Sequence, residues 1–274
     1  MDDVPHDSVA ADPGEQLTDG WEPDAPDGDT LVRRCVLAHA DWAVVTAEAK
    51  ARPWRLTERW AGAYAGDRGA FTNMVVLLRP PRGEDDLAGV LGEVAELVPA
   101  PAPYFLLSPF PTPDLTAHGL ARVGHPPLMV RPAGPGPAPD ADCREVTDAA
   151  TLAVAERLLV DAYPMPEAEP LTPGDVLSPA LLGGPMRFWL GYADGEPVAV
   201  SAAVCVRGVN LVTYVAALPA ARGRGVGGAV TWAATLADPD GPAILIASDD
   251  GRPVYERLGY LALERWTAWL RPGA

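Results

Sequence analysis

The stretch best equipped for chemistry is Leu218-Pro219-Ala220-Ala221-Arg222-Gly223-Arg224-Gly225-Val226-Gly227-Gly228. Its four glycines let the chain turn tightly and approach a ligand closely. Successive amides at a helix start point outward, and the helix dipole favours negative charge there. Arg222 and Arg224 add cationic donors within an acidic chain. A diphosphate is the natural occupant; a glycine-rich turn that merely caps a helix is the plainer alternative. Gly223-x-Gly225-x-x-Gly228 also matches the dinucleotide fingerprint formally, with Asp249 and Asp250 about twenty residues further on. The context argues against that reading, because only 46 residues follow Gly228, too few for the rest of a doubly wound sheet.

The elements around this loop follow from hydrophobic period and turn chemistry. In the second half the pattern predicts a strand at Cys143 to Val146 and a helix from Asp148 to Ala162. A proline-rich stretch, Pro164 to Pro173, follows. Three hairpin-connected strands come next, Phe188 to Ala193, Pro197 to Val206 and Asn210 to Leu218, with turns at Asp194-Gly195 and Gly208. After the loop come a helix from Val226 to Leu236, an apolar strand Ala243 to Ala247, a short helix Arg252 to Leu258 and a strand Ala262 to Leu270. The first half predicts a helix over Leu31 to Ala49 and strands near Trp54 to Tyr64 and Phe71 to Leu78. It continues with a helix opened by Glu84, Asp85 and Asp86 and ending at Val98, a strand Tyr104 to Leu107, a short helix Asp114 to Ala121 and a strand Leu128 to Arg131. Each half thus ends in the same order, strand, short helix, Gly, strand, which suggests a duplicated unit. Where the second copy has its glycine loop, the first has Arg79-Pro80-Pro81-Arg82-Gly83-Glu84-Asp85-Asp86. Its prolines lack amide donors and its acids repel phosphate.

Arg222-x-x-Gly225-x-Gly227, lying after the fourth strand and opening a helix, resembles the Arg/Gln-x-x-Gly-x-Gly/Ala acyl-CoA signature of the GCN5-related N-acetyltransferase (GNAT) superfamily. Ala247-Ser248-Asp249-Asp250-Gly251-Arg252-Pro253-Val254-Tyr255-Glu256-Arg257-Leu258-Gly259-Tyr260 resembles that family's second signature. The resemblance covers residues 142–270 in the family order; the first half resembles a degenerate copy by topology alone. The implied fold is α+β, layered, with a central mixed and mostly antiparallel sheet flanked by helices, in two tandem copies. The resemblance further implies that the amides of Arg222, Gly223, Arg224, Gly225, Val226, Gly227 and Gly228 hold the diphosphate of acetyl-CoA. The backbone of Ala216, Ala217 and Leu218 would bond its pantetheine arm, and Ser248 would contact it where the strands splay. Tyr255 matches the general acid that protonates the departing thiolate, and a phenol with a pKa of about 10 keeps its proton at neutral pH. Tyr255 as a core aromatic and Ser248 as a helix cap remain the alternatives. No carboxylate lies between Val209 and Leu218, only Tyr214, so a base must come from elsewhere: Glu167 or Glu169 in the proline-rich stretch, or a water chain. His39, His125, Trp232 and Trp266 read as structural.

Composition bounds the rest. The formal net charge of −16 over 274 residues excludes nucleic acid as a natural partner. Ten acids and no Lys or Arg fall within residues 1–30, which read as a disordered acidic tail. Residues 31–131 form the degenerate unit, 132–141 a Pro/Gly connector and 142–274 the catalytic unit. No apolar run approaches the length of a membrane span, and no secretory leader precedes Trp21. Three scattered cysteines and four scattered histidines predict neither a disulfide framework nor a metal site. The expectation is a cytoplasmic bacterial acyl-CoA-dependent N-acyltransferase acting on a small-molecule or peptide amine. An acyl-CoA-binding module without transfer activity is the competing expectation.

Overall fold

The computed structural model describes residues 30–66, 69–136, 141–163 and 165–273. The acidic tail expected over residues 1–30 lies outside the described residues except for Thr30, and so do residues 137–140 of the connector.

The first half opens with α1 (Leu31–Glu48), whose first turn is closed by the Thr30 hydroxyl accepting from the Arg33 amide at 3.0 Å. It continues through β1 (Trp54–Leu56), β2 (Trp60–Ala63), β3 (Met74–Leu77), α2 (Glu84–Leu97), β4 (Tyr104–Ser108), β5 (Ala121–Gly124) and β6 (Pro127–Arg131). The second half has β7 (Cys143–Glu145), α3 (Ala149–Ala162), β8 (Met186–Ala193), β9 (Glu196–Val206), β10 (Val209–Ala217), α4 (Val226–Thr235), β11 (Ala243–Ile246), α5 (Arg252–Arg257), β12 (Leu261–Arg265) and β13 (Thr267–Arg271). The hairpin turns are built as their residues require. Asp194 and Gly195 (φ 55° and 86°) and Arg207 and Gly208 (φ 52° and 64°) take the paired positive φ that a two-residue loop needs to match strand twist.

Two mixed, mostly antiparallel sheets result. The first runs β1-β2-β3-β4-β13-β5 and the second β12-β6-β11-β10-β9-β8-β7. The order repeats with β3 parallel to β4 and β10 parallel to β11, as a duplication requires. The last strand of each half, however, sits in the sheet of the other: β6 lies between β11 and β12, and β13 between β4 and β5. This corrects three sequence expectations. The short helix at Asp114 to Ala121 is only a 3-10 turn, Thr116–His118, followed by β5. The strand region Trp54 to Tyr64 is a hairpin, β1 and β2. The single strand Ala262 to Leu270 is broken at Trp266, so that its two parts can join different sheets. The fully buried indole of Trp266 anchors that corner.

The connector is also less free than its prolines suggest. The buried Arg131 guanidinium donates to the carbonyls of Pro132, Gly134, Pro135 and Leu258 at 2.7–3.0 Å, and it stacks 4.7 Å from the Trp232 ring. A continuous core joins both halves: Cys35, Val36 and Trp42 of α1 share it with Leu152 and Leu159 of α3 and with Leu211 and Tyr214 of β10. The opposite face of the second sheet is covered by α4 and α5, with Trp232, Tyr255 and Tyr260 in a separate cluster.

Candidate active site

The glycine loop forms as its residues dictate. Gly223 and Gly225 take φ of 77° and 82°, conformations that L side chains rarely adopt, and Gly225 is the N-cap of α4. The amides of Gly223, Gly225, Val226, Gly227 and Gly228 donate to nothing among the described residues, while Arg222 and Arg224 bond weakly back to Pro219 and Ala221. Five unspent amides at the positive end of a ten-residue helix make an anion cradle. Gly227 lies in helical backbone, and the nearest atom to a Cβ added there is the Ala217 Cβ at 4.0 Å. Packing therefore does not explain its lack of a side chain, and the space before the amides is open. Gly191 has the opposite cause: a Cβ there would meet Val226 Cγ1 at 2.6 Å and Val230 Cγ1 at 2.7 Å, so it sets how closely α4 lies on β8. Arg224 pairs with Asp194 at 2.8 Å, and the exposed Arg222 side chain has no partner among the described residues.

The matching place in the first sheet is already filled. The Asp86 carboxylate accepts from the Arg82 amide at 2.9 Å and from Arg59 and Arg79 at 3.1 Å. Burial works to raise its pKa, but those bonds outweigh it and leave the group below the usual carboxylate range. The sheets differ at their parallel pair as well. β3 and β4 stay paired from Met74 to Val76, with the buried Asn73 side chain bonded to Ala65, Gly66 and Pro103 beside them. β10 and β11 pair only at Asn210 with Ala243 and Leu211 with Ile244, then splay.

Beyond the splay β10 is bulged between Thr213 and Ala216, and Tyr214 has φ 51°. Positive φ at a bulky residue is strain of the kind that collects at functional sites. The Leu218 amide donates to the Val198 carbonyl and its carbonyl accepts from Ala221, both at 2.9 Å. By strand alternation Ala216 likewise pairs with β9, so Ala217 is the residue of the three whose backbone faces the gap. The Val215 carbonyl in the gap accepts from the Tyr163 hydroxyl at 2.8 Å.

A cavity of about 200 Å³ occupies this gap and reaches both faces of the sheet. Tyr255 lines it from the α5 side; His39 and Trp42 of α1, Tyr214, and Phe71 and Phe105 of the first half line it from the other. The Tyr255 hydroxyl makes no hydrogen bond among the described residues. Burial, with Tyr163 and Tyr260 nearby, pushes its pKa well above the ordinary phenol value, so it keeps its proton. The exposed Ser248 hydroxyl accepts from the Gly251 amide at 3.1 Å and closes the start of α5, the capping role that the sequence left as its alternative. Glu167 and Glu169 are exposed and do not line the cavity, and Glu169 pairs with Arg157 at 2.6 Å.

His39, Trp42 and Tyr163 were not singled out as site residues by sequence. His39 is 1% exposed, and its Nδ1 lies 2.7 Å from the Cys35 carbonyl. A carbonyl only accepts, so Nδ1 carries the proton and Nε2 the lone pair. Burial lowers the pKa to about 4, partly opposed by that bond.

No family model and no curated protein matches the chain. Solved structures do. A GCN5-related N-acetyltransferase from Kribbella flavida is 23% identical with a TM-score of 0.60, over 86% of this chain and 96% of its own. A putative GNAT-family acetyltransferase from Novosphingobium aromaticivorans gives 17% and 0.57, over 87% and 99%. A conserved protein of unknown function from Staphylococcus epidermidis gives 14% and 0.56, over 82% and 96%. The chain therefore has the fold of the GCN5-related N-acetyltransferases, over a length that takes in both sheets.

Proposed function

We propose that the protein is an N-acyltransferase that moves an acetyl group from acetyl-CoA to a primary amine. The observation that carries this reading is the run of unspent amides from Gly223 to Gly228, opening onto a splayed strand pair whose cavity holds the Tyr255 hydroxyl. Acetyl-CoA would supply the activated acyl group. Gly223, Gly225, Val226, Gly227 and Gly228 would hold its diphosphate, with Arg222 and Arg224 as added cations, and the free backbone of Ala217 would bond the pantetheine arm. In the transfer the amine nitrogen bonds the acyl carbon and the carbon–sulfur bond breaks. The nitrogen releases one proton to water, the thiolate takes one from Tyr255, whose raised pKa keeps that proton available, and the phenolate regains a proton from water, so each turnover moves one proton from nitrogen to sulfur. Residues 31–131 would act as a degenerate copy that walls the acceptor side, and residues 142–274 as the catalytic copy.

Among the described residues no helix is long and apolar enough to cross a membrane. With three cysteines free, we assign the protein to the bacterial cytoplasm. A second reading, an acyl-CoA-binding module without turnover, draws on the absence of any carboxylate among the residues lining the cavity. Thiol release from acetyl-CoA with a panel of primary amines decides between the two. The transferase reading expects release that falls about 100-fold or more in Tyr255→Phe while acetyl-CoA still binds. Binding without release for any amine would favour the module.

A further inference from the structure

The cavity in the splay is larger and more apolar than an acetyl group needs. At about 200 Å³ it exceeds the roughly 150 Å³ that admits benzene, a six-carbon body, whereas acetyl brings two carbons. Past Tyr255 the cavity runs on to a wall supplied by the first half, where Met74 and Leu107 are buried and the rings of Phe71 and Phe105 pack 5.0 Å apart. Trp42 and Tyr214, edge to face at 5.3 Å, close another side. Ala268 of β13 also lines this space and fills little of it with its single methyl group.

The aromatic lining presents carbon. The Trp42 indole nitrogen and the Tyr214 hydroxyl are buried out of reach of the cavity, the hydroxyl beside Trp42 and Thr46. His39 Nδ1 is held by the Cys35 carbonyl at 2.7 Å, and the Tyr163 hydroxyl by the Val215 carbonyl at 2.8 Å. None of the described residues lining the cavity is Asp, Glu, Lys or Arg, so no carboxylate there offsets the cost of desolvating an ammonium ion. The surface calls for an uncharged hydrocarbon occupant. Of the two substrates of an acyl transfer to an amine, the amine is a cation in neutral water and the acyl group is not. An acyl group joined to sulfur beside Tyr255 has this space directly ahead of it.

Resting on the acyltransferase reading above, we propose that the preferred donor is a coenzyme A thioester whose acyl group is an apolar chain of about six carbons, lying against Phe71, Met74, Phe105 and Leu107. The bonds made and broken are those already described, and acetyl-CoA serves as a shorter, weaker-binding donor at the same site. The first half then contributes the wall that sets the acyl length, although its own loop holds no anion cradle.

The test is calorimetric titration of the full chain with coenzyme A, acetyl-CoA and hexanoyl-CoA. Each buried methylene is worth about fourfold in affinity, so four more of them should make hexanoyl-CoA bind at least tenfold tighter than acetyl-CoA. Ala268→Leu adds three carbons within the cavity and should cut that advantage about fivefold or more. Met74→Phe, which sets a bulkier ring in another wall, should cut it as well. Comparing two donors in one protein cancels any general weakening of a variant. Hexanoyl-CoA no tighter than acetyl-CoA, while coenzyme A binds, would overturn the proposal and leave the acyltransferase reading standing. An advantage unchanged in both variants would also overturn it, by placing the chain elsewhere. No binding of coenzyme A or of either thioester would remove the cofactor site, and both readings with it.

Discussion

Acidification should destabilise this protein in a pH range set by one side chain. His39 is enclosed by α1, Trp42 and Trp266, 4.8 Å from the Trp266 ring centre, and its pKa falls from 6.5 to about 4. Because the folded value is the lower one, the unfolded chain takes up the proton first. The stabilisation is complete above about pH 6.5 and is lost as pH falls toward the folded value. Each pH unit within that window costs about 1.4 kcal/mol, so going from neutral pH to about pH 5 should cost about 2 kcal/mol. The carboxylates held below their ordinary range, Asp86 and Asp148 by amides and Glu145 and Glu169 by arginine, lose their contributions only further down, through the carboxylate range. Urea unfolding of wild type and His39→Phe at about pH 7.5 and pH 5 isolates the effect. The wild type should lose about 2 kcal/mol more than the variant between the two. Equal losses in the two proteins would refute the buried, neutral imidazole.

Two substitutions test the supporting structure. Gly191→Ala forces a methyl group against Val226 and Val230, both under 3 Å away, and should cost about 1–3 kcal/mol in urea unfolding. It also pushes α4 outward, so acetyl-CoA affinity should fall with stability. Glu156→Ala removes a buried carboxylate that accepts from the amides of Gly174, Val176 and Leu177 at 2.6–3.0 Å. Leaving those amides without an acceptor should cost about 3 kcal/mol or more, and the loop from 171 to 178 should become the preferred site of limited proteolysis.

The glycine loop was legible in the sequence because its signal is local. Positive φ at Gly223 and Gly225, helical backbone at Gly227 and an apolar strand on each side are all properties of neighbouring residues. The acceptor side was not legible. Trp42 meets Tyr214 across more than 170 positions, and no periodicity in α1 announces that its partner is the bulge of β10. Tyr214 stood out only as the one phenol on a strand without carboxylates. The exchange of β6 and β13 was hidden for another reason. An apolar strand carries the same alternation whichever sheet it enters, and the breaks at Gly124 to Pro126 and at Trp266 show that the chain bends without showing where it goes. Ser248 illustrates a third limit: a small polar residue before a helix is equally suited to a cap and to a ligand contact, and here its hydroxyl goes to the Gly251 amide.

The central claim is that the amides at the start of α4 hold an acyl-CoA diphosphate, and Gly227→Glu tests it without disturbing the fold. The position has helical backbone and open space, a Gly replacement there favours the helix, and an acid in the first turn complements the dipole. The variant should be at least as stable as wild type, by about 0.5–1 kcal/mol. Calorimetric titration with acetyl-CoA should show saturable binding to the wild type and a loss of at least tenfold in the variant, whose carboxylate faces the same amides. Equal affinity in the two folded proteins, or no binding to the wild type, would contradict the account.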